Sequence, residues 1–98
     1  MASVINDRFG FSYQCYLMND WTESNHELTK TFVFKSFLEA IHWMVKASNE
    51  MEKQNHHAIW TNEYNKVHVR LTTHDAGNTI TQKDRELAAA LARIDIKE

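Results

Sequence analysis

A chain of 98 residues is long enough for one domain with a single core, and a domain this small stands to gain stability by associating with copies of itself. Hydrophobic residues make up 43% and charged residues 24% of the sequence, and the formal net charge is -2 at pH 7, so we expect no direct binding of nucleic acid or anionic membrane. The single cysteine, Cys15, excludes an internal disulfide, and the sequence has no pattern typical of a signal peptide or a transmembrane helix. We therefore expect a cytoplasmic protein.

Residues 1–20 are predicted to form an N-terminal extension, and residues 21–98 to form one domain. In the extension, Phe9, Phe11, Tyr13 and Cys15 recur at a spacing of two, which favours a strand for part of it. The first two strands of the domain are predicted over residues 21–24 and 27–34, with a turn near Asn25 between them.

A long helix is predicted over residues 37–54. Ser36 can accept a hydrogen bond from the first turn of this helix while Glu39 reaches back to the serine N–H, a pattern known as a capping box. Small and apolar residues then recur every three or four positions, which predicts one stripe that packs on a sheet. The predicted stripe consists of Phe37, Ala40, Ile41, Met44, Val45, Ser48 and Met51.

A β-hairpin is predicted next, with strands over residues 59–64 and 67–73. Asn65 and Lys66 form a short polar pair suited to a tight turn between these strands. In the second strand, Val67, Val69 and Leu71 alternate with polar residues and should face the core.

A second helix closes the domain. Gly77 permits a turn with positive φ, and Thr81 with Asp84 three residues later resembles another capping box, ahead of an apolar stripe. The predicted fold is therefore α+β, an antiparallel four-stranded sheet with amphipathic helices packed on one face.

Three histidines fall where the predicted hairpin would bring them together. His56 and His57 precede its first strand and His74 follows its second, and these two ends of an antiparallel hairpin are adjacent. Because histidine titrates near neutral pH, two or three imidazoles around one pocket could supply both a general acid and a general base. Asp84 and Glu52 are carboxylates able to orient or charge-stabilise those rings.

These residues have alternative interpretations. Zinc is one alternative, since three imidazoles and Asp84 make a ligand set, but the spacings of known zinc motifs are absent and we expect no metal site. A buried, inert thiol is the better interpretation of Cys15 than a nucleophile. Trp43 and Trp60 are expected in the core or a subunit contact, although a flat ligand could lie between Trp21 and the histidines. Three further histidines are read as polar surface: His26, His42 and His68.

The stretch NHHAIWTNEYNKVHVRLTTHD at residues 55–75, followed by AGNTITQKDRELA, resembles the signature of the pterin-4a-carbinolamine dehydratases. These small enzymes are also known as dimerisation cofactors of a homeodomain transcription factor. The resemblance extends upstream through FVFKSFLEAIHWM and covers roughly residues 21–94. Two departures stand out. Ala58 occupies a position where the family usually has proline, and residues 1–20 replace the N-terminal helix of longer members.

The resemblance implies that 4a-hydroxytetrahydropterin loses water to give the quinonoid dihydropterin, with no metal or organic cofactor. By position, His56 and His74 correspond to the acid–base pair and His57 to the group that orients the pterin, with Asp84 and Glu52 tuning the rings. Thr73 and the backbone around Asp75 would hydrogen-bond the pterin edge. The residues expected to contact substrate are Trp21, Glu52, Asn55, His56, His57, Thr72, Thr73, His74 and Asp75.

The resemblance also implies partners. Family members form dimers that join their sheets and tetramers that pack helices together, so we expect a homodimer or homotetramer. The substrate links the reaction to an aromatic amino acid hydroxylase. A non-catalytic oligomeric protein-interaction module of the same fold is the alternative function, but a pure scaffold would have no need of His56, His57, His74 and Asp84 together.

Overall fold

The computed structural model describes residues 21–95. The strand predicted within residues 1–20 lies outside the described residues. In chain order the elements are β1 (Thr22–Ser24), β2 (Glu27–Val33), α1 (Phe37–Gln54), β3 (Ile59–Glu63), β4 (Lys66–Leu71), a short 3₁₀ helix (His74–Ala76) and α2 (Gln82–Ala92).

The four strands form one antiparallel sheet in the order β1-β2-β4-β3. β4 therefore lies between its hairpin partner β3 and the earlier strand β2. Leu28 lies opposite Leu71, and Trp60 lies opposite Val69, so these side chains share the face of the sheet that carries the core. The predicted α+β fold is confirmed.

The turn between β3 and β4 was predicted one residue too late. It consists of Tyr64 and Asn65, and Lys66 already pairs with Glu63 inside the hairpin. The reason lies in the contacts of Asn65 with the end of β2. Its side-chain amide donates to the Phe34 carbonyl at 2.8 Å, and its own carbonyl accepts from the Phe34 N–H at 2.9 Å. Tyr64 takes the positive φ, 52°, that the turn requires.

Helix α1 covers the predicted residues and is capped at both ends. The Ser36 hydroxyl accepts from the Glu39 N–H at 3.1 Å, but the Glu39 carboxylate accepts from the Lys35 N–H and not from Ser36. At the other end Asn55 adopts the left-handed conformation, with φ 54°, and the next N–H bonds back to the Met51 carbonyl.

The buried face of α1 differs from the predicted stripe. The residues that pack into the core are Ala40, Trp43, Ala47 and Met51, whereas Phe37 and Val45 are 48% and 57% exposed. Trp43 determines which face of the helix packs on the sheet, because burying its side chain removes the largest apolar surface from water. Its ring contacts that of Phe32, with ring centroids 4.4 Å apart. Ala40 and Ala47 beside it let the helix approach the sheet closely.

Helix α2 packs beside α1 and completes the core. Its buried residues include Leu87, Ala88 and Leu91, which join Val67, Val69 and Leu71 of β4 in one apolar cluster. No helix among residues 21–95 is both long and apolar enough to cross a membrane.

A histidine-lined cavity as the candidate active site

A cavity of about 270 Å³ opens where the C-terminal end of α1 meets the end of β4. All three histidines that the sequence singled out line it. The complete lining is Asn55, His56, His57, Thr72, Thr73, His74, Asp75 and Lys83.

The end of α1 places the first two histidines. Because Asn55 turns the chain into the left-handed conformation, the helix stops and the chain reverses towards β3. The His56 N–H then donates to the Met51 carbonyl at 3.0 Å. This hydrogen bond fixes the backbone at the residue that carries the first imidazole.

A buried carboxylate holds the His56 ring. Asp84 is fully buried, and its Oδ1 lies 2.6 Å from His56 Nε2. Its Oδ2 accepts from the Thr73 hydroxyl at 2.7 Å and from the Thr81 N–H at 2.9 Å. Three donors thus hydrogen-bond to one carboxylate, and these bonds offset the free-energy cost of burying its charge.

This network decides which nitrogen of His56 is available. A carboxylate accepts hydrogen bonds and donates none, so Nε2 carries the proton in the contact with Asp84. The other ring nitrogen, Nδ1, has no hydrogen bond within residues 21–95. His56 therefore offers a basic nitrogen on one side, while a negative charge on the other side can stabilise the imidazolium.

The second histidine, His57, is more exposed to solvent than His56. His57 Nε2 contacts Glu52 Oε2 at 2.7 Å, and both side chains are exposed. Exposed ion pairs contribute little to stability, about 0–1 kcal/mol, so the effect of Glu52 is to orient the His57 ring at the mouth of the cavity.

His74 is positioned by a tight loop after β4. Thr73 donates its N–H to the Thr79 carbonyl at 2.9 Å, and the Thr73 carbonyl accepts from the Asn78 N–H at 3.1 Å. Gly77, with φ 84°, ends the short helix that His74 begins. His74 is exposed and lines the cavity together with His56 and His57.

Two of the predicted contact residues do not line the cavity. Glu52 acts on it only through His57. Trp21 is buried in the core, edge-on to Phe32 with ring centroids 5.8 Å apart, and it does not line the cavity with the histidines. Thr73 does line the cavity, but its hydroxyl is engaged by Asp84 and Thr81.

Sequence reasoning missed Lys83. It lies in the first turn of α2, next to the capping carboxylate, and it lines the cavity with an ammonium group that has no ion pair within residues 21–95. The sequence did contain a signal for Lys83, which lies two residues after Thr81 in the first turn of the predicted helix. Residues in that turn surround the same helix end as Asp84. No three His, Cys, Asp or Glu side chains in this part of the chain could share a metal ion.

The sequence and the fold are similar to those of known proteins. The family model for pterin 4 alpha carbinolamine dehydratase matches residues 12–94. A protein of Opitutus terrae, provisionally named pterin-4-alpha-carbinolamine dehydratase, is 47% identical over 77 residues, which cover 79% of each chain.

Two solved structures share the fold. The crystal structure of a transcriptional coactivator/pterin dehydratase from Brucella melitensis has a TM-score of 0.70 and 31% identity, covering 83% of this chain and 90% of that one. A pterin dehydratase-like protein described as a RuBisCO assembly factor in the alpha-carboxysome has a TM-score of 0.62 at 18% identity, covering 78% and 93%. With the family model and the relatives in agreement, the chain belongs to the pterin-4a-carbinolamine dehydratase family.

Proposed function

We propose that this protein is an active dehydratase that converts 4a-hydroxytetrahydropterin to the quinonoid dihydropterin and water. The observation that carries the proposal is the convergence of His56, held by buried Asp84, with His57 and His74 on one cavity. Membership of the family supplies the substrate class. Such a substrate is the product of an aromatic amino acid hydroxylase, which is the functional partner that we propose.

The reaction needs one proton delivered and one removed. The bond between C4a and the hydroxyl oxygen breaks, and the oxygen leaves as water after it gains a proton. N5 loses its proton, and its electron pair forms the double bond to C4a. No electrons are gained or lost, so the proposed chemistry uses neither a metal nor an organic cofactor. An acid and a base should each contribute roughly 10²- to 10⁴-fold.

The geometry suits His56 as the base. Its Nδ1 can accept the N5 proton, because Asp84 keeps the other proton on Nε2 and stabilises the imidazolium that forms. His74, an exposed residue of the same cavity, is then the group that protonates the leaving oxygen. His57, oriented by Glu52, binds the pterin, and Lys83 offers an additional donor to ring oxygen or nitrogen.

The test is the rate at which the purified protein accelerates loss of enzymatically generated 4a-hydroxytetrahydropterin, followed by ultraviolet absorbance. We expect His74→Ala, and a double His56→Ala/His57→Ala variant, each to lower the rate at least roughly 10²-fold. The matched control is His42→Ala, since His42 is an exposed histidine on α1 that does not line the cavity.

Each outcome supports or excludes a role in the mechanism for the residue that was replaced. An unchanged rate for His74→Ala would remove His74 from the mechanism. No acceleration by the wild-type protein would overturn the proposal. Loss of activity in the His42→Ala control would mean that histidine substitutions act through the fold.

A second candidate function is protein association through α1. Leu38, Val45 and Phe37 are 61%, 57% and 48% exposed, an apolar side of the helix that no residue between 21 and 95 covers. The relatives named as coactivator and assembly factor make an interaction role worth testing here. We propose that a second copy of this chain covers this side, so that the protein is a homo-oligomer.

Light scattering of the purified protein tests this association. We expect Val45→Glu to produce monomers and Lys53→Glu, on the same helix, to leave the oligomer unchanged. A monomeric wild-type protein, or an oligomer that survives Val45→Glu, would contradict association through α1.

A further inference from the structure

A chain of two hydroxyl groups leads from the start of α2 to the carboxylate that holds His56. Thr81, the N-cap residue of α2, places its Oγ1 2.6 Å from Thr73 Oγ1. Thr73 in turn donates its hydroxyl to Asp84 Oδ2 at 2.7 Å, and the other carboxylate oxygen lies 2.6 Å from His56 Nε2. Thr81 does not line the histidine-lined cavity, so its hydroxyl is connected to the cavity through this chain.

The carboxylate of Asp84 sets the direction of both hydroxyl protons. A carboxylate accepts hydrogen bonds and donates none, so the single hydroxyl proton of Thr73 lies in its bond to Oδ2. Thr73 then has no proton left for Thr81 and can only accept in their 2.6 Å contact. Thr81 is therefore the donor of that bond.

Thr73 is too deeply buried to replace this donor with bulk water. It is 6% exposed, and within residues 21–95 the hydroxyl of Thr81 is the donor to its oxygen. A buried oxygen that loses its donor is left partly unsatisfied, and the bonds of such a chain strengthen one another by about 10–30% each. Loss of the Thr81 hydroxyl should therefore loosen Thr73 first and the Asp84 carboxylate with it.

The cap of α2 does not by itself require this hydroxyl proton. An N-cap side chain serves as an acceptor for backbone N–H groups, and glycine is about as favourable as threonine at this position. The backbone of Thr81 is extended, with φ -127° and ψ -178°, a conformation open to most residues. The proton that Thr81 gives to Thr73 consequently supports the carboxylate and is not needed to end the helix.

We propose that Thr81 is a positioning residue for His56, the proposed base. Its hydroxyl acts through Thr73 and Asp84 to hold the carboxylate on His56 Nε2, which leaves Nδ1 free for the substrate proton. Thr81 does not line the cavity, so it takes no part in the proton transfers. The inference rests on the proposed function for the reaction itself, whereas the hydrogen-bond chain is present without substrate.

Two substitutions of Thr81 separate its hydroxyl from its role as a cap. Thr81→Gly removes the hydroxyl and keeps an acceptable N-cap, while Thr81→Ser keeps both. Exchange of the His56 Nε2–H proton with water would be measured by NMR on the full-length protein, with the resonance assigned by its loss in His56→Gln. We expect exchange to be roughly 2- to 10-fold faster in Thr81→Gly, the effect of one neutral hydrogen bond, and near the wild-type rate in Thr81→Ser. In the dehydration assay, kcat should fall by the same factor in Thr81→Gly, with KM unchanged. The matched control is Ser36→Gly, which removes the N-cap hydroxyl of α1 at the end of that helix away from the cavity and should change neither quantity.

The outcomes separate this inference from the dehydratase proposal. Wild-type exchange and wild-type kcat in Thr81→Gly overturn the positioning role, and so does a loss in Thr81→Ser equal to that in Thr81→Gly. A raised KM with unchanged kcat overturns it as well, because Thr81 would then act on substrate binding. Faster proton exchange in Thr81→Gly, without any dehydration by the wild type, confirms the hydrogen-bond chain and overturns the catalytic function alone.

Discussion

Replacing Asp84 by asparagine should invert the proton position on His56. The Oδ2 position accepts from the Thr81 N–H at 2.9 Å, and a backbone N–H cannot be rotated away. The oxygen of the introduced amide must therefore take that place, which turns its NH₂ group towards His56 Nε2. Because that group donates, Nε2 must give up its proton, and Nδ1 becomes protonated. The nitrogen proposed as the base would then carry a hydrogen.

The magnitudes follow from the contacts that survive. Asp84→Asn keeps the bonds from Thr73 and Thr81 and exchanges one charge-assisted bond for a neutral one, so we expect a loss of about 1–2 kcal/mol in the free energy of unfolding. Asp84→Ala leaves all three donors buried without the carboxylate and should cost about 3–5 kcal/mol. Activity should fall at least roughly 10²-fold in both variants.

Urea denaturation followed by tryptophan fluorescence measures the stability, and ¹⁵N chemical shifts of the His56 ring report which nitrogen is protonated. Asp75→Asn is the control for stability, since Asp75 is an exposed carboxylate on the same cavity. An Asp84→Asn variant that keeps the proton on Nε2 would refute the reasoning. So would an Asp84→Ala variant as stable as the wild type.

Three further predictions concern the fold around the site. Asn55→Ala should lower the free energy of unfolding by about 1–2 kcal/mol, because alanine is strained in the left-handed conformation, while Asn55→Gly should stay near wild type in urea denaturation. Trp43→Ala should lower the free energy of unfolding by about 3–5 kcal/mol, and a loss below about 1 kcal/mol would contradict the observed buried face of α1. The pKa of Glu63 is held below its usual 4.5, first by the hydrogen bond from His68 and then by the charges of Lys66 and His68. Its stabilising effect is present above 4.5 and is lost as the pH falls through the lower folded pKa, and His68→Gln should raise the midpoint of its NMR titration.

Local patterns in the sequence predicted most of the secondary structure. Ser36 and Asn55 stand at the two ends of α1, and alternation in β4 buried Val67 and Val69 as expected. The buried face of α1 could not be read in the same way, since the helix carries apolar residues on two sides. Only the bulk of Trp43 against Phe32 decides between them, and that contact joins residues from different elements.

The sequence predicted that Asp84 and Glu52 orient the imidazoles, but not which ring each carboxylate contacts. The hairpin geometry was sufficient to bring His56, His57 and His74 together. The bond between His56 and Asp84 joins residues 28 positions apart and depends on how α2 packs beside α1. Lys83 was missed for the same reason, because its position on the cavity follows from the direction in which α2 begins.

The site is assembled almost entirely from the ends of secondary-structure elements. Asn55 is the C-cap of α1, Thr73 precedes the 3₁₀ helix after β4, and Asp84 accepts from the N-cap residue of α2. Backbone groups at such ends lack partners within their own element, so polar side chains are required there for stability alone. Asp84 meets that requirement with one oxygen and orients His56 with the other. A domain of this size thereby obtains a fixed histidine tautomer from a carboxylate that its last helix needs in any case, which ties the proposed catalysis to the formation of α2.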